Sequence, residues 1–99
     1  MLKLDLSNKF KKDYKLLKKQ NRDFSEFERV IEYLIEEQPL PQKYKEHSLK
    51  GKYIGYKECH IFPDWLLIYR IIEDRLILRL ERTGSHSDTC LHNIDRELA

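Results

Sequence analysis

The sequence predicts an α+β domain: an N-terminal strand, a two-helix hairpin, then a three-strand antiparallel meander, with the helices packed on one sheet face. Three observations predict it. Two helical stripes, Phe10/Tyr14/Leu17 and Phe27/Val30/Ile31/Leu34, both lie before Pro39. Three apolar or alternating runs follow, over 53–61, 65–72 and 76–81. The joints between those runs, Phe62-Pro63-Asp64 and Glu73-Asp74, are short enough to make neighbouring strands antiparallel.

In chain order, Leu2-Lys3-Leu4-Asp5-Leu6 alternates apolar and polar residues and suits a short strand with one buried face. Ser7 is a good N-cap, and the Phe10 stripe predicts a helix from about Asn8 to Gln20. Lysines 9, 11, 12, 15, 18 and 19 fill most of its remaining positions. Asn21-Arg22-Asp23 breaks the pattern. Asp23 and Glu26 resemble a capping box ahead of a second helix, from about Phe24 to Glu37, ended by Pro39 and Pro41. The short loop between the helices makes them antiparallel. Leu40 to Lys50 has no period and reads as an ordered loop. Tyr53 to Ile61 reads as a strand broken by Gly55, which suggests a bulge or a close backbone approach. Trp65 to Ile72 is apolar on both faces except at Arg70, as expected of a central strand. Leu76, Leu78 and Leu80 alternate with Ile77, Arg79 and Glu81 in the last strand. Residues 83–88 read as a loop.

The 99 residues make one domain with a single core. No apolar run approaches the roughly 20 residues of a membrane helix. The start carries no signal-peptide pattern, which points to the cytoplasm, where Cys59 and Cys90 are expected as two reduced thiols. The net charge of +2 is unevenly placed. Residues 1–22 hold eight Lys/Arg and two Asp, whereas residues 23–37 hold one Arg and six Asp/Glu. This suits a polyanion partner on one surface, and equally two solvated helix faces of opposite sign lying side by side.

There is no Gly-rich phosphate loop, nucleophile elbow or HExxH. The chemistry-bearing groups are His47, His60, Asp64 and His86, with Lys50, Arg70 and Arg82 as nearby cations. The Phe62-Pro63-Asp64 turn sets His60 and Asp64 at one end of an apolar hairpin. Two histidines in different environments can act as base and acid near neutral pH. Cations stabilise charge developing on a phosphate. These ingredients suit metal-free RNA cleavage with the RNA 2′-OH as nucleophile; ordinary exposed or core histidines are the plainer alternative. Cys59, His60, His86 and Cys90 would make a zinc set on paper. Adjacent strand residues point to opposite faces, however, so no metal is expected there, and no cofactor elsewhere.

Three stretches together resemble a known family. They are Tyr44-Lys45-Glu46-His47-Ser48-Leu49-Lys50-Gly51; Glu58-Cys59-His60 through Pro63-Asp64-Trp65-Leu66-Leu67-Ile68-Tyr69; and Arg82-Thr83-Gly84-Ser85-His86-Ser87. The chain is similar to the YafQ branch of the RelE/ParE toxin superfamily from Met1 to about Cys90. The resemblance implies a RelE-like toxin domain over residues 1–91 and a C-terminal tail over 92–99. It implies the toxin of a type II toxin–antitoxin pair, a ribosome-dependent endoribonuclease, or mRNA interferase. The expected partners are a cognate DinJ/RelB-type antitoxin, mRNA in the ribosomal A site and ribosomal RNA, with no membrane. By the same resemblance His86 is the general acid toward the leaving 5′-oxygen. His60, His47 and Asp64 would activate the 2′-OH and hold the phosphate. Lys50, Arg70 and Arg82 are expected as RNA or phosphate contacts, and Trp65 is grouped with them as support.

One position departs. The family commonly carries a Phe shortly after its last His, and Cys90 stands there in this chain. His92 adds a polar group in the tail. A ParE-like toxin that binds DNA gyrase without cutting RNA is the alternative, and the three-His-plus-Asp set argues against it. An inert domain that only binds an antitoxin is a third reading.

Overall fold

Ser7 starts the first helix of the computed structural model. Its hydroxyl oxygen accepts the Phe10 amide at 2.9 Å and donates to the Glu81 carbonyl at 2.7 Å, which joins the helix start to the last strand. The structure describes residues 1–85. The elements are β1 (Lys3–Leu6), α1 (Asn8–Lys19), α2 (Ser25–Ile35), β2 (His47–Ser48), β3 (Lys57–Phe62), β4 (Trp65–Ile72) and β5 (Ile77–Gly84). Short 3-10 turns occupy Gln42–Tyr44, Gly51–Tyr53 and Glu73–Arg75.

The strands form one sheet in the order β1-β5-β4-β3-β2. β1 runs parallel to β5, and the other neighbours are antiparallel. Both helices cover one face. Phe10, Leu17, Phe27, Val30, Ile31 and Leu34 meet Cys59, Ile61, Trp65, Leu67, Tyr69, Leu78 and Leu80 in the main core. Trp65 stacks on Phe27 at 5.8 Å and meets Phe24 edge-on at 5.2 Å. The expected α+β architecture and its meander are therefore present, with an extra edge strand. Among the described residues no helix is long and apolar enough to cross a membrane.

The last strand runs on to Gly84, into the loop expected over 83–88, and four other local readings differ. The second helix stops before its prolines. Glu37 adopts φ +57°, the Gln38 amide donates to the Tyr33 carbonyl, and the Glu37 amide donates to the Leu34 carbonyl. Those bonds satisfy the terminal carbonyls, so the prolines lie beyond an end already made. Its start is not the expected capping box either. The Asp23 carboxylate accepts the Ser25 amide at 2.9 Å, and Phe24 takes the cap position. The loop expected over 40–50 contains a 3-10 turn and β2. Gly55 lies ahead of β3 with φ +91°, and an added Cβ would meet nothing within 4 Å. Its backbone angle, not a close approach, is what requires glycine. The bulges lie instead between His60 and Phe62 and between Ile68 and Tyr69.

The face opposite the helices holds a smaller cluster of Leu49, Leu66 and Ile68, flanked by Tyr53 and Tyr56. Beside it stand the polar residues of β2 and β3, on a face that no helix covers among the described residues.

Candidate active site

The pairing of β2 with β3 sets His47 opposite Glu58. His60 follows Glu58 by two residues, so a strand's alternation puts it on the same face. The three side chains converge. Glu58 Oε1 lies 3.3 Å from His47 Nε2 and 3.8 Å from His60 Nε2. The imidazole centroids are 6.3 Å apart. Glu58 is 2% exposed, His60 is half-buried and His47 is exposed. A buried floor thus carries the carboxylate, and two rings form the rim above it.

His47 is oriented from behind. Its Nδ1 is 3.1 Å from the Lys45 carbonyl, and Lys45 turns the chain with φ +50°. A carbonyl only accepts, so Nδ1 carries the proton and Nε2 is directed at Glu58. The bulge after His60 leaves Phe62 partly exposed. Beside His60 opens a cleft of about 300 Å³ lined by Glu26, Lys43, Tyr44, Lys45, Ile61 and Phe62. Its Tyr44 hydroxyl donates to Glu26. Burial first, and then that bond, pushes the phenol up to about 12; the same bond holds the Glu26 carboxyl below its usual range. Deeper in the fold, the Tyr69 hydroxyl donates to Glu46.

The other expected residues divide. Lys50 is exposed on the approach to the second 3-10 turn. Arg70 is exposed on the same sheet face as Glu58, with its guanidinium 5.7 Å from the Tyr56 ring centroid. Asp64 sits in the β3–β4 turn, where its carboxylate is 3.6 Å from the Arg22 guanidinium. Glu58 also stands beside His60, and its carboxylate has no counterpart among the residues expected at the site. Two expected RNA contacts lie inside the fold. Trp65 is 1% exposed, with its indole N–H donated to Thr83 Oγ1 at 2.8 Å, so it supports the hairpin from inside the core. Arg82 is not a solvated strand end. Its guanidinium is buried on Asp13 of α1, with Nε donating at 2.7 Å and a second nitrogen at 3.1 Å. Cys59 faces the helix-covered core, where burial pushes its thiol up. His86, Cys90 and His92 lie outside the described residues.

One signal could have found Glu58: Glu58-x-His60 places two polar residues on one face of an otherwise apolar strand. The His47–Glu58 pairing itself is a long-range register.

The arrangement can accept a proton, orient an imidazole and bind a cation or a hydroxyl that neighbours a phosphate. A family profile described as "Bacterial toxin of type II toxin-antitoxin system, YafQ" matches residues 2–90. The chain belongs to the YafQ toxin family. The mRNA interferase toxin YafQ of Escherichia coli K12 is 39% identical over 85 residues, spanning 85% of this chain and 90% of that protein. The structure of the E. coli DinJ–YafQ complex matches with a TM-score of 0.79 at 38% identity, covering 88% of this chain and 96% of that one. A metal-bound toxin from Helicobacter pylori matches with a TM-score of 0.82 at 45% identity, covering 89% and 98%. The RelE-type arrangement expected from the motifs thus stands within the YafQ family.

Proposed function

We propose that this toxin is an mRNA endoribonuclease that cuts in the ribosomal A site with the RNA's own 2′-OH as nucleophile. The observation that carries the reading is the convergence of His47, Glu58 and His60 on one open sheet face. The name of the E. coli relative supports the substrate class. A base in this cluster takes the 2′-OH proton, and the oxygen attacks the adjacent phosphorus. His86, assigned by the family motif, protonates the departing 5′-oxygen. Glu58 is a positioning residue that orients both imidazoles and offsets the positive charge they gain. Lys50 and Arg70 remain the exposed cations for the phosphates. Asp64 belongs at the rim, where it pairs with Arg22. The ribosome and its RNA complete a site that is open on one side, and a DinJ-type antitoxin is the partner that silences it. A gyrase inhibitor would have no use for the converging imidazoles.

The test uses ribosomes programmed with a defined A-site codon. Cleavage should leave a 2′,3′-cyclic phosphate or its 3′-phosphate hydrolysis product. It should vanish when the nucleotide 5′ to the scissile bond is 2′-deoxy. Efficient cutting of the deoxy substrate would exclude this mechanism. Replacing His86 with Ala should lower the rate by about 10²–10⁴-fold, the usual worth of general acid–base catalysis.

A further inference from the structure

We propose that the cleft at the start of α2 is a base-recognition subsite, in which Glu26, Lys43 and Phe62 hold the guanine of a nucleotide that flanks the scissile phosphate. Its place in the reaction rests on the reading under Proposed function; the binding of guanine does not. The cleft lies between α2, the 3-10 turn at Gln42–Tyr44 and the end of β3. Its volume of about 300 Å³ is at the small end for ligand pockets and suits a single base. His60 lines one side of it, so a base seated there sets its own backbone beside the histidines.

The polar groups of the cleft select a base edge that donates. The bond from Tyr44 holds the Glu26 carboxyl below its usual range, so at neutral pH it is ionised and only accepts. The Tyr44 hydroxyl has spent its proton on that bond and adds no donor. Tyr44 and Lys43 both approach Glu26 Oε2, Lys43 at 3.6 Å. Among the described residues Oε1 carries no such partner, and its lone pairs are left for a ligand. Guanine presents N1–H and its N2 amino group side by side, which suits one carboxylate. Its O6 stands next to them as an acceptor for the Lys43 ammonium. Adenine brings one amino group and no second donor on that edge. Hypoxanthine keeps N1–H and O6 but lacks the amino group.

The apolar side of the cleft is made by Ile61, Phe62 and Pro63. Phe62 is 37% exposed where the strand bulges after His60. A base stacks on an aromatic ring whatever its identity. Phe62 therefore supplies affinity, and Glu26 supplies choice. Lys45, exposed at the rim, is the cation for the phosphate of the seated nucleotide.

Full-length protein is titrated with GMP, IMP and AMP, and binding is followed by NMR at the amides of Lys43, Ile61 and Phe62. GMP should bind about 10- to 150-fold more tightly than IMP or AMP, the worth of a hydrogen bond to a charged group. Glu26→Gln, checked for fold by circular dichroism, should bring the three affinities together. Phe62→Ala should weaken all three alike. Absence of shifts at these amides, equal affinities in the wild type, or a GMP preference that survives in folded Glu26→Gln would overturn the subsite. The wild-type comparison of GMP with IMP decides it even where a variant fails to fold. The ribosome assay then compares messages carrying guanosine or inosine on either side of the scissile bond. Guanosine should give the higher kcat/KM on one side, and Glu26→Gln should erase the difference. Equal cutting by a protein that binds GMP in the cleft would overturn its role in cleavage. A chain that never cuts would sink the nuclease reading, while the titration would still decide the subsite.

Discussion

Glu58 is nearly sealed from solvent, and an ionised carboxylate in such a place needs partners. His47 and His60 stabilise it as much as it orients them. Glu58→Gln keeps the shape and removes the charge. Its cleavage rate should fall about 10–100-fold, by analogy with the loss of an orienting outer-shell partner, with KM little changed. Single-turnover kinetics would check this; a loss confined to KM would assign Glu58 to binding instead. Tyr44 and Glu26 give a second residue-scale prediction, through pH. The Glu26 carboxyl is lowered from 4.5 in the fold, so its contribution is present above 4.5 and is lost as pH falls through the lower folded value. The Tyr44 phenol is raised from 10.0, so its contribution is present below 10.0 and is lost as pH rises toward about 12. The stability gap between the wild type and Tyr44→Phe should therefore be widest between those limits and narrow at both ends. Urea unfolding across pH would measure it, and a gap independent of pH would refute the coupling.

At the scale of elements, α1 and β5 are joined by one buried constellation. The Asp13 carboxylate takes two bonds from Arg82 and the Thr83 amide at 3.2 Å, while Thr83 Oγ1 donates to the Leu66 carbonyl at 2.8 Å. Removing one member strands a buried charge. Asp13→Ala should cost about 3–5 kcal/mol in urea unfolding, and replacing Asp13 and Arg82 together by apolar residues should cost less. Equal losses in the single and double variants would mean that the pair is not coupled. This tie also explains what the sequence could and could not reveal. Helices and long strands were legible because period and capping are local: α1 runs over Asn8–Lys19, close to its expected bounds. Asp13 reads locally as one polar residue of a lysine-rich helix, and its partner lies 69 residues away. β2 has two residues, too few for any period, so its pairing was invisible, and with it the meeting of His47 and Glu58. His60 and Asp64 are legible from the turn between them, whereas the approach of Glu58 to His60 follows from strand alternation.

For the whole molecule, charge divides within the helical layer: the lysines belong to α1, and most of the acidic run to α2. Leu4 and Leu6 were expected on a buried face, but they are 49% and 37% exposed on the outermost strand, in a groove shared with Phe10, Tyr14, Phe27, Ile31 and Leu80. The parallel pairing of β1 with β5 has a consequence for synthesis. Among the described residues the first strand has its only sheet neighbour in the last one, and β5 sits between β1 and β4. While the chain is still being made, β1 has nothing to pair with, and β4 lacks one of its two neighbours. Non-local pairings of this kind form late, after the loop-closure entropy has been met. The sheet closes only when residues 77–84 have left the exit tunnel, so the toxin's fold stays incomplete while those residues are still inside it. A chain stopped after Leu76 should be degraded rapidly by a protease that spares the full-length protein. Equal resistance of the two would show that the sheet closes without its last strand.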